Sequence, residues 1–265
     1  MLKLTNIHKT FNPGTINEKK ALNGLNLELN EGDYVAVIGG NGAGKSTMMN
    51  AVSGVWLVDE GKIEIDGVDV TSKPEYKRAS YLGRVFQDPM MGTAANMNLE
   101  ENLALAFRRG EHRTLAWGIK DKERKKYREV LATLDLGLEN RLTTKVGLLS
   151  GGQRQALTLL MATLKQPKIL LLDEHTAALD PKTAAKVLEL SDRIITENHL
   201  TAMMVTHNMK DAIAHGNRLI MMSDGKIILD VSGPEKKNLT VEELLRRFNK
   251  LSGTELANDR MLLSK

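Results

Sequence analysis

Apolar and polar residues alternate through the first part of the chain. LKLTNI and LNGLNLELN place an apolar residue at nearly every second position, the period of a strand with one buried face. Asn12-Pro13-Gly14 and Glu31-Gly32-Asp33 are turn sequences, so half-buried antiparallel strands are expected at the N-terminus. The run from Tyr34 to Ile38 is instead continuously apolar, and a glycine-rich turn and a helical stretch follow it. In KIEIDGVDV, Asp66-Gly67 between alternating apolar positions predicts a tight hairpin. Tyr81 to Phe86 forms another short apolar run, which Pro89 ends, leaving Gln87 at a strand-to-loop junction.

From Asn98 to about Leu164 the period is helical. Basic residues (Arg108, Arg109, Lys122, Arg124, Lys125, Lys126, Arg128) are interspersed there with Glu123 and Glu129, a pattern that suits a solvated helix face or a binding surface. In LLSGGQRQALTLLMATLKQP, Ser150 is placed to cap a helix that Lys165 to Pro167 closes. Ile169 to Leu172 reads as a buried parallel strand, Asp180-Pro181 opens a helix to about Asn198, and AMMVTH is another apolar strand. Two strands flank Asp224-Gly225, and Thr240 with Glu243 predicts a capping box for VEELLRRFNK. The expected architecture is α/β: a largely parallel sheet, an N-terminal antiparallel β lobe and a helical insertion near 90 to 165, with a polar, frayed tail from Ser252.

With 265 residues, 42% of them hydrophobic, the chain can bury one large core or a domain carrying an inserted lobe. Lys and Arg total 37 against 33 Asp and Glu, a net +4 that suits an acidic ligand or a membrane-adjacent surface and equally an ordinary solvated one. Nothing in that balance demands nucleic acid. The absence of cysteine excludes disulfides, thiolate metal sites and a thiol nucleophile. MLKLTNIHKT has no apolar signal core, and no uncharged apolar run approaches the ~18 residues of a membrane span. A cytoplasmic location is expected.

Five places carry candidate chemistry. GGNGAGKST fits G-x-x-x-x-G-K-[ST] through Gly39, Gly44, Lys45 and Ser46, a phosphate cradle in the strand, loop and helix order that it needs. Glycines at 39, 40, 42 and 44 are expected in conformations closed to side chains, bringing backbone N–H groups and a helix N-terminus to the phosphates. Lys45 would neutralise the β- and γ-phosphates, and the Ser46 hydroxyl would ligate Mg2+. Gly151-Gly152 behind Ser150 is a second potential anion site. Asp173 and Glu174 end a strand at the edge where ligands bind such sheets, although acidic residues also end ordinary core strands. His207 ends another strand and Phe11 follows the first. Each suits a structural role as well as a ligand-facing one.

Taken together and in order, these residues resemble the nucleotide-binding subunit of ATP-binding-cassette transporters. GGNGAGKST looks like the Walker A motif, Gln87 the Q-loop, Leu149 to Gln153 the LSGGQ signature, ILLLDE the Walker B motif, Ala178-Leu179-Asp180 the D-loop and His207 the switch histidine. LSGGQ shortly before ILLLDE is the discriminating element. The resemblance implies a phosphate-loop NTPase core with a mostly parallel sheet, an N-terminal antiparallel β subdomain and an inserted helical subdomain. Residues 1–251 would be one ATPase domain, with 1–89 and 166–251 the RecA-like β lobe, 90–165 the helical subdomain and 252–265 a polar tail.

Further implications concern ligands and partners. ATP and Mg2+ would be the cofactors, with Phe11 near adenine and Gly39, Asn41, Gly42, Ala43, Gly44, Lys45, Ser46 and Thr47 around the phosphates. Ser46, Gln87 and Asp173 would surround Mg2+, Glu174 would act on the attacking water, and His207 would contact the γ-phosphate. Ser150, Gly151, Gly152 and Gln153, with Asp180 beside them, would cap ATP held by a facing subunit, so a twofold homodimer is expected. His175 stands where many relatives have proline and Ala178 where many have serine, which puts the local turn shape in question. Partners would be a second such subunit and integral membrane permease subunits, with an extracytoplasmic solute-binding protein acting indirectly and no nucleic acid. The protein would sit peripherally on the cytoplasmic face of the membrane. Docking is implied along Asp88 to Asn102, where Met90, Met91 and Met97 suit either a groove for a permease helix or packing within the helical segment. The expected function is energising solute import, with some similar importer ATPases serving amino-acid uptake. An exporter subunit, a soluble DNA-maintenance ATPase and a nucleotide-gated module without turnover are the alternatives.

Overall fold

The computed structural model describes residues 1–111 and 118–252, so the tail expected beyond Ser252 and residues 112–117 of the helical segment lie outside the description. In chain order the elements are β1 (Leu2–Phe11), β2 (Lys19–Leu29), β3 (Tyr34–Gly39), α1 (Lys45–Ser53), β4 (Glu60–Ile65), β5 (Val68–Asp69), α2 (Glu75–Arg78) and β6 (Leu82–Val85). Then come α3 (Leu99–Phe107), α4 (Asp121–Ala132), α5 (Gly151–Thr163), β7 (Ile169–Asp173), α6 (Pro181–Glu197) and β8 (Ala202–Val205). The chain continues through α7 (Met209–Ala214), β9 (Arg218–Ser223), β10 (Lys226–Ser232), α8 (Gly233–Lys237) and α9 (Val241–Ser252).

Two sheets result. One is four-stranded and antiparallel, in the order β2-β1-β4-β5, as the N-terminal alternation predicts. The other is six-stranded, in the order β10-β9-β3-β8-β7-β6, parallel except for the β9–β10 hairpin at its edge. β3 lies inside this second sheet with all six of its residues buried. Its period-2 alternation serves two cores: Val35 and Val37 face the space between the sheets, while Ala36 and Ile38 face the helices on the other side. Leu103, Tyr127, Leu131 and Leu157 from α3, α4 and α5 belong to that second core, so these helices share apolar packing with the parallel sheet. Each fully buried aliphatic side chain there contributes roughly 1.5–3 kcal/mol relative to exposure.

The register places the functional loops. Val37 pairs with Val205 and Asp173 pairs with Val205, so β3, β7 and β8 end at one edge. The glycine loop, Asp173-Glu174 and His207 all leave the sheet there, as ligand sites in parallel sheets do.

Three short helices escape the sequence reading: α2, α7 and α8. α2 delivers the fully buried Arg78, whose guanidinium donates to the carbonyls of Ala51 (2.6 Å) and Val52 (3.0 Å) and so closes the C-terminal end of α1. α7 begins at Asn208, whose side chain accepts from the amides of Lys210 (2.9 Å) and Asp211 (3.3 Å). The expected capping box at α9 is only half formed. Thr240 accepts from the Glu243 amide at 3.2 Å, but the Glu243 carboxylate is drawn to Arg246 and Arg247, each at 2.8 Å.

Candidate functional site

The glycine loop is held by backbone crowding. Gly39, Gly42 and Gly44 take positive φ values of 153°, 81° and 101°, whereas Gly40 does not and has open space around it. Side-chain freedom is thus barred at three of the four expected glycines. At Gly39 and Gly44 space also forbids a side chain, because a Cβ would lie 2.4 Å from the Met222 carbonyl of β9 and 2.5 Å from the Ala21 carbonyl of β2. On its other side the loop accepts from Gly225 of the β9–β10 turn, whose N–H donates to the Ala43 carbonyl at 3.0 Å.

α1 starts immediately after this turn with Gly44 as its N-cap and no side chain bonded to its first amides. Those amides and the helix dipole favour an anion. Lys45 is 95% buried, and its Nζ donates to the carbonyls of Gly39 (2.7 Å) and Gly40 (3.1 Å). Burial lowers its pKa, while the nearby carboxylates of Glu174 and Asp173 oppose that shift. Its ammonium is thus held on the glycine loop within the influence of both carboxylates.

A cleft of about 240 Å3 opens here. Asn41, Gly42, Ala43, Gly44, Lys45, Ser46 and Thr47 line it, joined by Phe11, Glu174 and His207. Glu174 carries a φ of +47°, a left-handed conformation costing on the order of 1–3 kcal/mol in a residue with a side chain. Its amide donates to Val205 at 3.0 Å, and its carboxylate Oε1 is 2.6 Å from His207 Nε2. The strained turn thus aims the carboxylate into the cleft. Phe11 sits at the rim, its ring edge-on to Trp56 with centroids 4.8 Å apart.

Other expected residues lie elsewhere. Gln87 leaves β6 exposed and is not among the residues lining the cleft, because the turn at Asp88, where the Met90 amide bonds the Asp88 carboxylate at 2.8 Å, carries the chain outward. Asp173 is close enough to act on Lys45, yet its Oδ2 accepts from Arg84 Nη2 at 3.0 Å. The signature residues stand apart from this cleft. Ser150 Oγ accepts from the Gln153 amide and Gln153 Oε1 accepts from the Ser150 amide, both at 3.2 Å, a reciprocal cap on α5. Gly152 approaches α6 so closely that a Cβ would meet Thr183 Cγ2 at 2.3 Å. Asp180 caps α6 by accepting from the Thr183 amide at 3.1 Å, and the Thr183 hydroxyl together with that amide lowers its pKa.

Three contributors were not legible from motifs. Lys19 pairs with Phe11 across β1 and β2 and lines the cleft as a second ammonium, although KK in FNPGTINEKKAL was its only sequence signal. Trp56 supports Phe11. His175 is buried under the Glu174 turn with Nε2 2.9 Å from Ser191 Oγ, whose hydroxyl donates to the Val187 carbonyl at 2.8 Å, and burial drives its pKa down to about 4. The residue in the usual proline position is therefore an internal, neutral histidine that pins the turn to α6.

The arrangement can bind a polyphosphate by amides and two ammoniums and can act on a water through a carboxylate held by an imidazole. Similarity to known proteins agrees with this chemistry. The family model described as ABC transporter matches residues 22–177. The chain is 45% identical to a tyrosine transport ATP-binding protein of Clostridioides difficile (strain R20291), covering 94% of this chain and 98% of that one. It is 33% identical to a methionine import ATP-binding protein of Bartonella henselae, covering 86% of this chain and 64% of the relative. A dimeric ATP-binding cassette in a post-hydrolysis state with ADP and Pi superposes with a TM-score of 0.74 at 31% identity, covering 88% of this chain and 98% of that one. With a family model matching more than half of it and a relative 45% identical over nearly its whole length, this chain belongs to the ABC transporter family and is an ATP-binding, ATP-hydrolysing transport subunit.

Proposed function

We propose that this chain, as a homodimer on the cytoplasmic face of the membrane, energises import of an aromatic amino acid through separate permease subunits fed by a solute-binding protein. The observation that carries the substrate class is the 45% identity to a tyrosine transport ATP-binding protein over nearly both whole chains. No described helix is long and apolar enough to cross a membrane.

In this reading the amides of residues 42 to 47, with Lys45 and Lys19, bind the phosphate oxygens. Phe11 lies against the base. Ser46 offers an exposed hydroxyl in the cleft and Asp173 a carboxylate, the hard oxygen donors that Mg2+ prefers, so the residues present fit the ion. When bound, Mg2+ would offset phosphate charge. Glu174 Oε1 orients the attacking water or takes its proton, and the 2.6 Å contact holds His207 Nε2 on that carboxylate. Ser150 to Gln153 close the site of the facing copy. Gln87 would reach the metal only after moving inward, and its exposed position suits such a movement.

A groove of about 1130 Å3, floored by Phe86 and lined by Met91, Leu105 and Met161, suits the permease contact. Met91 lies in it, Met90 is exposed beside Arg154, and Met97 is half-buried outside it, so only one of the three methionines lines that surface. We read 90–165 as the helical subdomain that carries this groove and 1–89 with 166–251 as the β lobe that carries the cleft.

The test has two parts. Tagged Glu174→Gln, purified with ATP from detergent-solubilised native cells, should bring down a multi-span membrane protein. Cells lacking the chain should lose uptake of labelled tyrosine, which the native chain restores and Lys45→Ala does not. Recovery of soluble proteins alone, or tyrosine uptake indifferent to the chain, would contradict the reading.

A further inference from the structure

Arg84 is a charged residue on β6, the parallel strand at the edge of the six-stranded sheet, and none of the motifs accounts for it. It stands on β6 opposite Leu171 of β7, two residues before Asp173. Its side chain is only 12% exposed. One terminal nitrogen, Nη2, donates to Asp173 Oδ2 at 3.0 Å, while Nη1 donates to Ser53 Oγ at 3.1 Å near the end of α1. The guanidinium also lies 4.7 Å from the centroid of the Phe86 ring, and Nε is buried with no acceptor. A guanidinium held at so many points, on a carboxylate itself only 17% exposed, is a fixed unit of charge where solvent screens it weakly.

We propose that Arg84 is a positioning residue for the metal step: the resident counter-ion of Asp173, which a divalent cation must share. The inference rests on the reading of Asp173 as a metal group. A carboxylate that already neutralises a guanidinium has less field to offer a second cation, so Arg84 keeps the metal weakly held until phosphate oxygens supply the remaining charge. Arg84 and Phe86 also line the groove proposed for the permease. The same side chain therefore touches both the groove and the metal carboxylate, a direct electrostatic link between them.

Two expectations separate this role from a purely structural staple. Removing the charge should strengthen metal binding, whereas loss of a staple should weaken nucleotide binding with and without metal alike. The experiment measures ATP affinity of the full chain in excess EDTA and in excess Mg2+, and takes the ratio of the two dissociation constants as the contribution of the metal. Arg84→Gln keeps a donor toward Asp173 without charge, Arg84→Met keeps the apolar bulk, and Arg84→Lys keeps the charge. The ratio should rise about tenfold in Arg84→Gln and Arg84→Met, in line with one charge removed at weakly screened distance. It should remain native in Arg84→Lys. Thermal unfolding identifies any variant that has lost its fold, and Arg84→Lys with Arg84→Gln then carry the comparison. An unchanged or lowered ratio in folded Arg84→Gln overturns the proposal. Asp173→Asn, measured in parallel, separates the two levels: if it keeps the native ratio, the metal reading of Asp173 fails, and if it alone abolishes the ratio while Arg84→Gln leaves it unchanged, only the role of Arg84 fails.

Discussion

α1 begins behind a glycine turn and α5 opens on two glycines, and both offer a helix N-terminus to an anion, but the chain finishes them differently. At α1 the N-cap is Gly44, no side chain satisfies the first amides, and the turn is locked between the Ala21 carbonyl and the β9–β10 turn. At α5 the N-cap is Ser150, and its hydroxyl and the Gln153 side chain satisfy one another's amides at an exposed edge. The first site is a preorganised receptor whose donors wait for phosphate. The second is already satisfied internally and gains only when another molecule arrives. In the proposed homodimer one chain would bring the receptor and its partner the complementary edge.

Changes in the cleft should therefore outweigh changes at the edge. The largest effect is expected from Glu174→Gln, which removes the group acting on water and should lower turnover by about a thousandfold while ATP affinity stays within a few-fold. Phosphate release measures the first and equilibrium dialysis the second; native turnover would show that the carboxylate is not the base. Lys45→Ala comes next. Losing a buried charged donor should weaken ATP binding by about 3 kcal/mol, roughly a hundredfold. Tight binding in this variant would mean that the glycine loop and Lys19 suffice.

A third effect lies beneath the cleft and depends on pH. His175 is held neutral with a pKa of about 4, below its ordinary value of 6.5. As pH falls through that window the unfolded chain takes up a proton that the native chain refuses, so stability is lost toward acid, by up to about 3 kcal/mol. His215 works in the opposite sense, because its hydrogen bond to Asp192 raises its pKa and its contribution is lost as pH rises. Urea unfolding from pH 7 to 4.5 should accordingly give a flatter acid limb for His175→Asn than for the native chain. Parallel limbs would show that His175 takes up its proton without cost. The smallest effect belongs to the edge: Ser150→Ala should cost about 1 kcal/mol of stability through the lost cap and leave ATP binding by the single chain unchanged. A marked loss of monomer affinity would put the signature inside its own cleft and erase the distinction between the two helices.

What the sequence made legible follows the same division. Backbone-determined features were readable because the residue type itself carries the geometry: the glycine loop, the cap at Ser150, though not its return bond from Gln153, and Asp180-Pro181 at the start of α6. The layout of β3, β7 and β8 was readable from continuous apolar runs, which only a strand covered on both faces requires. Contacts between distant parts of the chain were not readable. Arg84 on Asp173, Lys19 beside Phe11 and His175 on Ser191 depend on register and packing that no local pattern encodes. Short helices such as α7 were hidden for a different reason: too few residues to show a period, with Asn208 as the one available signal. At Glu243 a valid local signal lost to stronger partners, since two guanidiniums outcompete an amide for the carboxylate.

The central claim, a receptor cleft completed by another copy's signature edge, is tested most directly by the mass of Glu174→Gln in solution, measured by light scattering with and without ATP and Mg2+. The mass should double when ATP is present, and should return to that of one chain when Ser150→Arg places a charged bulk on the exposed edge while ATP binding persists. A single-chain mass at saturating ATP, or a doubled mass that Ser150→Arg leaves intact, would contradict the account.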